Sequence, residues 1–458
     1  MGVSLLVAVC LAVLSACGDG GQPGSMPTPS PAATAPPSLA PAPTPSPTLQ
    51  PIATIREGVW AEVDVAEGCL PVRAFAPSGE PGNCLPDGFV GYVAEGPEMT
   101  GGRFWRIAGQ GWAPEENLRF HHEGGFPYPP RPELAHAGLI GYVTADGDVW
   151  LVNADGSQSR RLIDIETVLG PESRAAELAW SPQGDAIAAT VGSPDGYSVL
   201  VADLSGTLIL TIPNALLPSW FPDGTKLALL AERQQEEDHQ CEFLHSAVIA
   251  VFDLATAEPT PLTSRYCYFD GPEWSPDGSA LLYTRDGNIY LYPFSAGEER
   301  LVRARGEDDW YETVAWAPDS SRFSTFHRAF PSGEELYEAY EVYDLASDKL
   351  LLSVDSPRDG CGHGASFDDW QTRWTADGRH LLYYDPCGDG GFGGVWVADA
   401  VSGETVRIPV TGAGLVSPSP DGRHLAFGAW TFLWLSDIDG SNLTLLAKGT
   451  RPAWQPQP

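Results

Sequence analysis

Three short phrases place acids beside aromatic rings: Asp308-Asp309-Trp310-Tyr311, Asp368-Asp369-Trp370 and Tyr266-x-Tyr268-Phe269-Asp270. Carboxylates select cations or the hydroxyls of sugars, and aromatic rings give contact area at low entropic cost. A carboxylate pair ~5–10 Å apart is also what a glycosidase needs. Solvated acidic loops are the commoner use of such residues. Two phrases offer softer ligands, His239-x-Cys241-x3-His245 and Cys361-x-His363. Neither spacing makes a four-ligand zinc site, so no metal and no cofactor is expected. No Gly-x-Ser-x-Gly, His-Glu-x-x-His, Walker, dinucleotide or Asp-x-Asp-x-Asp-Gly phrase occurs, and no catalytic residue is assigned.

The chain around these phrases has 458 residues, with 60 Asp and Glu against 26 Lys and Arg, a net charge of −34. Nucleic acid wants a basic face, so it is excluded as a partner. Docking on anionic lipid through a polybasic patch is excluded for the same reason. With 50 Gly, 42 Pro and 43% hydrophobic residues, the chain reads as turn-rich, β-rich and able to bury a large core.

Residues 3–14 form an apolar run of about 12, shorter than the roughly 20 needed to span a bilayer. The length suits the core of a signal peptide. It ends in Leu14-Ser15-Ala16-Cys17, which resembles the bacterial lipobox. That resemblance implies lipidation of Cys17, a mature chain beginning there, and anchoring at the outer side of the cell envelope. Residues 18–54 follow as a Pro/Thr/Ser/Ala-rich tether, with eleven prolines between Pro23 and Pro51. Such a stretch favours polyproline II; at ~3.1 Å per residue it would reach on the order of 100 Å.

Residues 55–120 show short β-rich runs and no helical periodicity. Gly68-Cys69-Leu70-Pro71-Val72-Arg73, Cys84-Leu85-Pro86-Asp87-Gly88, Phe104-Trp105-Arg106-Ile107 and Gly111-Trp112-Ala113 come in that order. Together they resemble a bacterial Src-homology-3 (SH3b) domain, which implies a small β-barrel and a contact with the cell wall. Trp105 and Trp112 read as core rather than ligand platform. Residues 121–137 form a linker.

Residues 138–458 repeat one phrase. Copies begin at Trp180, Trp220, Trp274, Trp316, Trp374, Pro418 and Trp454, most of them reading close to Trp-Ser-Pro-Asp-Gly. The steps are 40, 54, 42, 58, 44 and 36 residues. A period of this size with four short strands is the sign of a β-propeller. Pro presets the second turn position, Asp suits the third and Gly the fourth. The repeats resemble the TolB-type (PD40, WD40-like) propeller family. The fold class is therefore all-β: a propeller of seven blades, or alternatively six as in the family, after an SH3-like barrel. The first repeat lacks its opening strand and the last has only that strand, so the C-terminal strand should complete the N-terminal blade.

The phrase turns share one face of such a ring, and they are short. The insertions, residues 232–246, 264–270, 303–311, 328–336, 354–367 and 385–393, share the other. Elaborated loops on a rigid frame are where binding sits. The candidate site is thus Tyr266, Tyr268, Asp308, Asp309, Trp310, Tyr311, His363, Asp368, Asp369 and Trp370. Cysteines follow the same map. Cys69 and Cys84 share the small domain; Cys241 with Cys267, and Cys361 with Cys387, lie in loops flanking one blade each. Disulfides are expected in those three pairs, in a compartment that permits them. Residues 138–458 carry 47 acidic and 20 basic side chains, a net of −27, which favours a basic partner. The leading reading is a non-catalytic envelope lipoprotein that binds a protein, peptide or glycan. The alternatives are a hydrolytic propeller using carboxylates at the channel mouth, and a cell-wall-attached scaffold.

Overall fold

A computed structural model describes residues 54–73, 81–99, 101–232, 245–264, 266–268, 270–329, 337–356, 371–385, 394–410 and 412–457. The chain divides into two compact units, residues 1–52 and 53–458, and the described residues belong to the second.

Seven four-stranded antiparallel blades form the ring, as the repeats predict. Blade 1 runs Thr450–Trp454, Leu139–Val143, Val149–Asn153, Arg160–Ile163 from its first strand outward. The C-terminal strand pairs with the N-terminal one, Trp454 opposite Ile140 and Ala453 opposite Gly141. This closure removes two sheet edges. Blade 2 begins at Arg174–Trp180 and blade 3 at Ala215–Trp220. Blades 4, 5, 6 and 7 begin at Glu273–Trp274, Asp309–Trp316, Thr372–Trp374 and Ala413–Pro418. Blade 3 carries an extra strand, Tyr266–Tyr268, paired with His245–Asp253.

The repeated phrase has two physical jobs. Its Ser-Pro-Asp-Gly portion closes the first turn of the blade. Gly278 N–H donates to the Ser275 carbonyl at 2.8 Å and Gly422 N–H to the Ser419 carbonyl at 2.9 Å. Gly278 sits at φ +70°, where a side chain is strained, and a Cβ there would lie 2.8 Å from the Phe221 ring. The Asp carboxylate caps the same turn: Ser279 N–H and Ser275 Oγ both donate to Asp277 Oδ1, at 2.9 and 2.7 Å. The Trp joins neighbouring blades. Trp180 Nε1 donates to the Ala453 carbonyl (2.9 Å), Trp220 Nε1 to that of Ala179 and Trp316 Nε1 to that of Glu273 (both 3.0 Å). Each acceptor immediately precedes the Trp of the blade before. Trp374 makes the same link through a relay: its Nε1 reaches Ser324 Oγ at 3.1 Å, and that hydroxyl donates to the Ala315 carbonyl at 3.4 Å.

The small domain before the ring is a seven-stranded sheet, Val59–Val63, Cys69–Arg73, Pro81–Pro86, Val90–Met99, Arg103–Ile107, Gly111–Pro114 and Leu118–Glu123, consistent with a small barrel. Its core holds Trp105, Ile107, Val93, Val72 and Leu85, and the Cys69–Cys84 disulfide ties two neighbouring strands. Trp112 is half-buried. The domain is packed onto blade 7. Tyr92 meets Phe432 edge-on (5.7 Å), the Arg106 guanidinium lies 3.7 Å from the Trp430 ring centre, and Trp60 packs at a tilt on Tyr128 of the intervening segment (centroids 3.9 Å). The segment after Glu123 touches the ring at one bridge, where Tyr128 exchanges two backbone hydrogen bonds with Leu445 in blade 7's outer strand.

Candidate functional site

The strand Asp309–Trp316 opens blade 5 at its elaborated end, and alternation sends its side chains to opposite sides. Asp309 and Tyr311 turn toward blade 4, where Tyr311 is 3% exposed and stacks on His327 at 4.5 Å. His327 is held between two carboxylates: Asp309 Oδ2 lies 3.4 Å from Nε2 and Glu341 Oε2 lies 3.2 Å from Nδ1. The Tyr343 and Tyr337 hydroxyls donate to Glu341 at 2.5 and 2.9 Å. Arg303 reaches over from blade 4, donating to the Tyr343 and Tyr311 hydroxyls at 3.3 and 3.4 Å and pairing with Asp348 at 3.0 Å.

Burial works against a charge on His327, but hydrogen bonding and attraction from Glu341, then Asp309, hold its pKa above the ordinary value. Burial likewise works against the Glu341 carboxylate, and its bonds to His327 and Tyr343 hold it below the usual range. On the opposite side of the blade, Glu312 is 4% exposed and bonded to Arg328 at 3.0 Å. Burial pushes its carboxyl up to about 7 against the pull of Arg328.

Above this network, Asp308 is exposed and Trp310 half-buried. The Arg305 guanidinium lies 5.2 Å from the Trp310 ring centre, and the Gly287 turn packs so closely that a Cβ would stand 2.4 Å from the indole. Of the four neighbouring candidates, Asp308 is exposed, Trp310 packs half-buried against Arg305 and the Gly287 turn, and Asp309 and Tyr311 belong to the network around His327. Tyr266 and Tyr268 lie on the extra strand of blade 3, opposite Ala247 and His245. Cys267 is between them, opposite Ser246. Cys17, Cys241, Cys361, Cys387, His363, Asp368, Asp369 and Trp370 lie outside the described residues. Among the described residues, no group of three or more His, Cys, Asp or Glu is placed to hold a metal.

The central channel carries charges that motif reading passes over. Arg373 of blade 6 faces Glu177 of blade 2 at 3.8 Å. These two and Arg451 line a cavity of about 280 Å³, walled elsewhere by Leu178, Val416 and Trp454. Burial lifts Glu273 of blade 4 to about 7, Arg373 opposing and Asp270 and Glu177 reinforcing. All four charged groups sit one or three residues before a repeat Trp. That offset is the signal that would have found them.

No protein-family model matches the chain. Over 97 residues it is 32% identical to the Tol-Pal system protein TolB of Alcanivorax borkumensis, a match to 20% of this chain and 20% of that protein. The crystal structure of TolB from Acinetobacter baumannii superposes with a TM-score of 0.42 at 17% identity, covering 80% of this chain and 82% of that one. Over those 97 residues the chain is similar to TolB. A 130-residue stretch is also 26% identical to a probable dipeptidyl-aminopeptidase B of Fusarium vanettenii, covering 27% of this chain and 14% of that protein. The chain thus matches a fifth or less of the length of these curated relatives.

Proposed function

We propose that the chain is an exported, lipid-anchored binding protein whose TolB-like propeller takes a basic protein or peptide partner on its elaborated face, without catalysis. The observation that carries this reading is the fixed cluster in blade 5 beside an exposed acid. Asp308 is exposed and Trp310 half-buried next to the ordered network of Tyr311, His327, Glu341, Tyr343 and Arg303. A rigid platform of this kind lowers the entropic cost of binding. The Asp309 carboxylate is directed at His327, an arrangement that supports positioning of the platform rather than hydrolysis. The propeller's net charge of −27 supports a basic partner.

A pull-down from envelope extract tests the reading, comparing wild type with Trp310→Ala and with the plain-face variant Asp277→Ala. Loss of the captured protein with Trp310→Ala alone is the expected result. Loss with Asp277→Ala alone would mean the wrong face. Capture of polysaccharide in place of protein would overturn the partner class. Lipidation is tested by Cys17→Ser, which should release the chain from membranes and lower its mass by that of the lipid.

A further inference from the structure

Each blade ends in an outer strand, so the ring presents seven outer edges and each serves as a control for the rest. An unpaired edge invites another strand unless charge, proline or a cover guards it. Arg160–Ile163 carries Arg160 and Arg161, and Arg300–Arg303 has an Arg at each end. Glu258–Pro261 contains Glu258, Pro259 and Pro261. Lys349–Asp355 is charged at both ends, and Thr405–Arg407 ends in Arg407. Thr444–Lys448 ends in Lys448, and its second residue, Leu445, is bonded to Tyr128 through both backbone groups at 2.9 and 2.8 Å.

Leu208–Pro213 of blade 2 departs from the set. Its sequence is Leu-Ile-Leu-Thr-Ile-Pro, with no charge and proline only at the end. Leu208 is 36% and Ile209 53% exposed, while Ile212 is buried within the blade. One side of the strand pairs with Gly196–Asp203, from Ala202 opposite Leu208 to Ser198 opposite Pro213. Tyr128 shows, within this same molecule, that an outer strand of the ring exchanges backbone hydrogen bonds with a residue outside its blade.

We propose that the Leu208–Pro213 edge receives an extended, basic-flanked segment of a partner protein as the fifth strand of blade 2. Main-chain hydrogen bonds would give the affinity, as in other strand additions. Six residues at ~3.4 Å each offer about 20 Å of edge. The charge of the occupant follows from the surroundings. Asp195 lies exposed in the turn just before the preceding strand begins, at the Pro213 end of the edge, while at the Leu208 end Asp203 caps the turn through Ser205 and Thr207 and Arg160 of blade 1 reaches the Leu204 carbonyl at 2.7 Å, so the free acid is at the Pro213 end. A second copy of this chain, with a net charge of −34, would bring like charges together there, whereas Lys or Arg beside the added strand would be attracted. The proposal is independent of the elaborated face.

The test is fluorescence anisotropy of a labelled synthetic peptide, five alternating Val and Thr residues with two Lys at each end, titrated with the full chain. Saturable binding is expected, weakened tenfold or more by Ile209→Lys, which installs the guard the other blades carry. Thr211→Arg, exposed on the same strand, gives a second variant should Ile209→Lys not fold. Leu351→Lys on blade 5's outer strand, which adds the same charge away from the edge, should leave the affinity unchanged. Absence of binding by wild type, or equal binding by both edge variants, would overturn the proposal. A wild-type dimer in sedimentation, abolished by Ile209→Lys, would also overturn it and assign the edge to a second copy.

Discussion

His327 and Glu312 lie on opposite sides of blade 5 and respond to pH in the same direction. His327 has a native pKa raised above its unfolded value, so its stabilisation is complete below about 6.5 and is lost as pH rises through the native pKa. Glu312 reaches about 7 by burial, so the folded state keeps a proton that the unfolded state releases above about 4.5. Stability therefore falls as pH rises between those values. At 1.36 kcal/mol per unit the Glu312 effect is on the order of 3 kcal/mol. Chemical denaturation at pH 5 and 8 should show Glu312→Gln losing less stability across that interval than wild type. An unchanged difference would mean that Glu312 is ionised in the fold. None of this was legible in the sequence. His327 belongs to no motif, and its partners come from the two strands on either side of its own, brought together by register alone. The neighbouring phrase Asp308-Asp309-Trp310-Tyr311 was legible as a cluster, but which of its side chains join the His327 network needed the strand's pleat.

At the scale of elements, the repeated phrase explains why the strands stop and turn where they do. Gly278→Ala should cost about 1 kcal/mol or more, since it adds a Cβ both at positive φ and against Phe221. Trp316→Phe retains most of the ring but leaves the Glu273 carbonyl without its indole donor, at a cost of about 1–3 kcal/mol. Urea titration measures both, and a cost near zero for Trp316→Phe would show that the indole acts only by packing. In the small domain, the Cys69–Cys84 bridge spans 15 residues. A loop of that size is worth about 3 kcal/mol, so reduction should lower the midpoint of that domain. The turn chemistry and the period were plain in the sequence because Pro, Asp and Gly act locally. The role of Trp as a link between blades was not, because its acceptors lie about 40 residues or more away along the chain.

Across the whole molecule, closure by Thr450–Trp454 was predictable from two incomplete repeats that supply each other's missing strands. The docking of the small domain on blade 7 was not, since Trp60, Tyr128 and Phe432 carry no pattern linking them in sequence. Acid should unfold the ring for a reason that the repeats multiply. Asp203, Asp223, Asp277, Asp377, Asp399, Asp421 and Asp439 all have pKa values lowered by turn hydrogen bonds, and that stabilisation is lost as pH falls through the native values. With the opposite trend from Glu312, Glu273 and His327, the melting temperature should be highest on the mildly acidic side of neutrality.

Binding of a basic partner at the elaborated face is most directly tested by association kinetics with the protein captured from envelope, at 0.1 M and 1 M salt. The Debye length shrinks from ~10 Å to ~3 Å across that range, so association with wild type should slow by about tenfold or more. Trp310→Ala should raise the dissociation rate by about tenfold at either salt while the ring stays folded, and Asp277→Ala should leave both rates alone. Salt-independent association, together with a Trp310→Ala variant that binds like wild type, would contradict it.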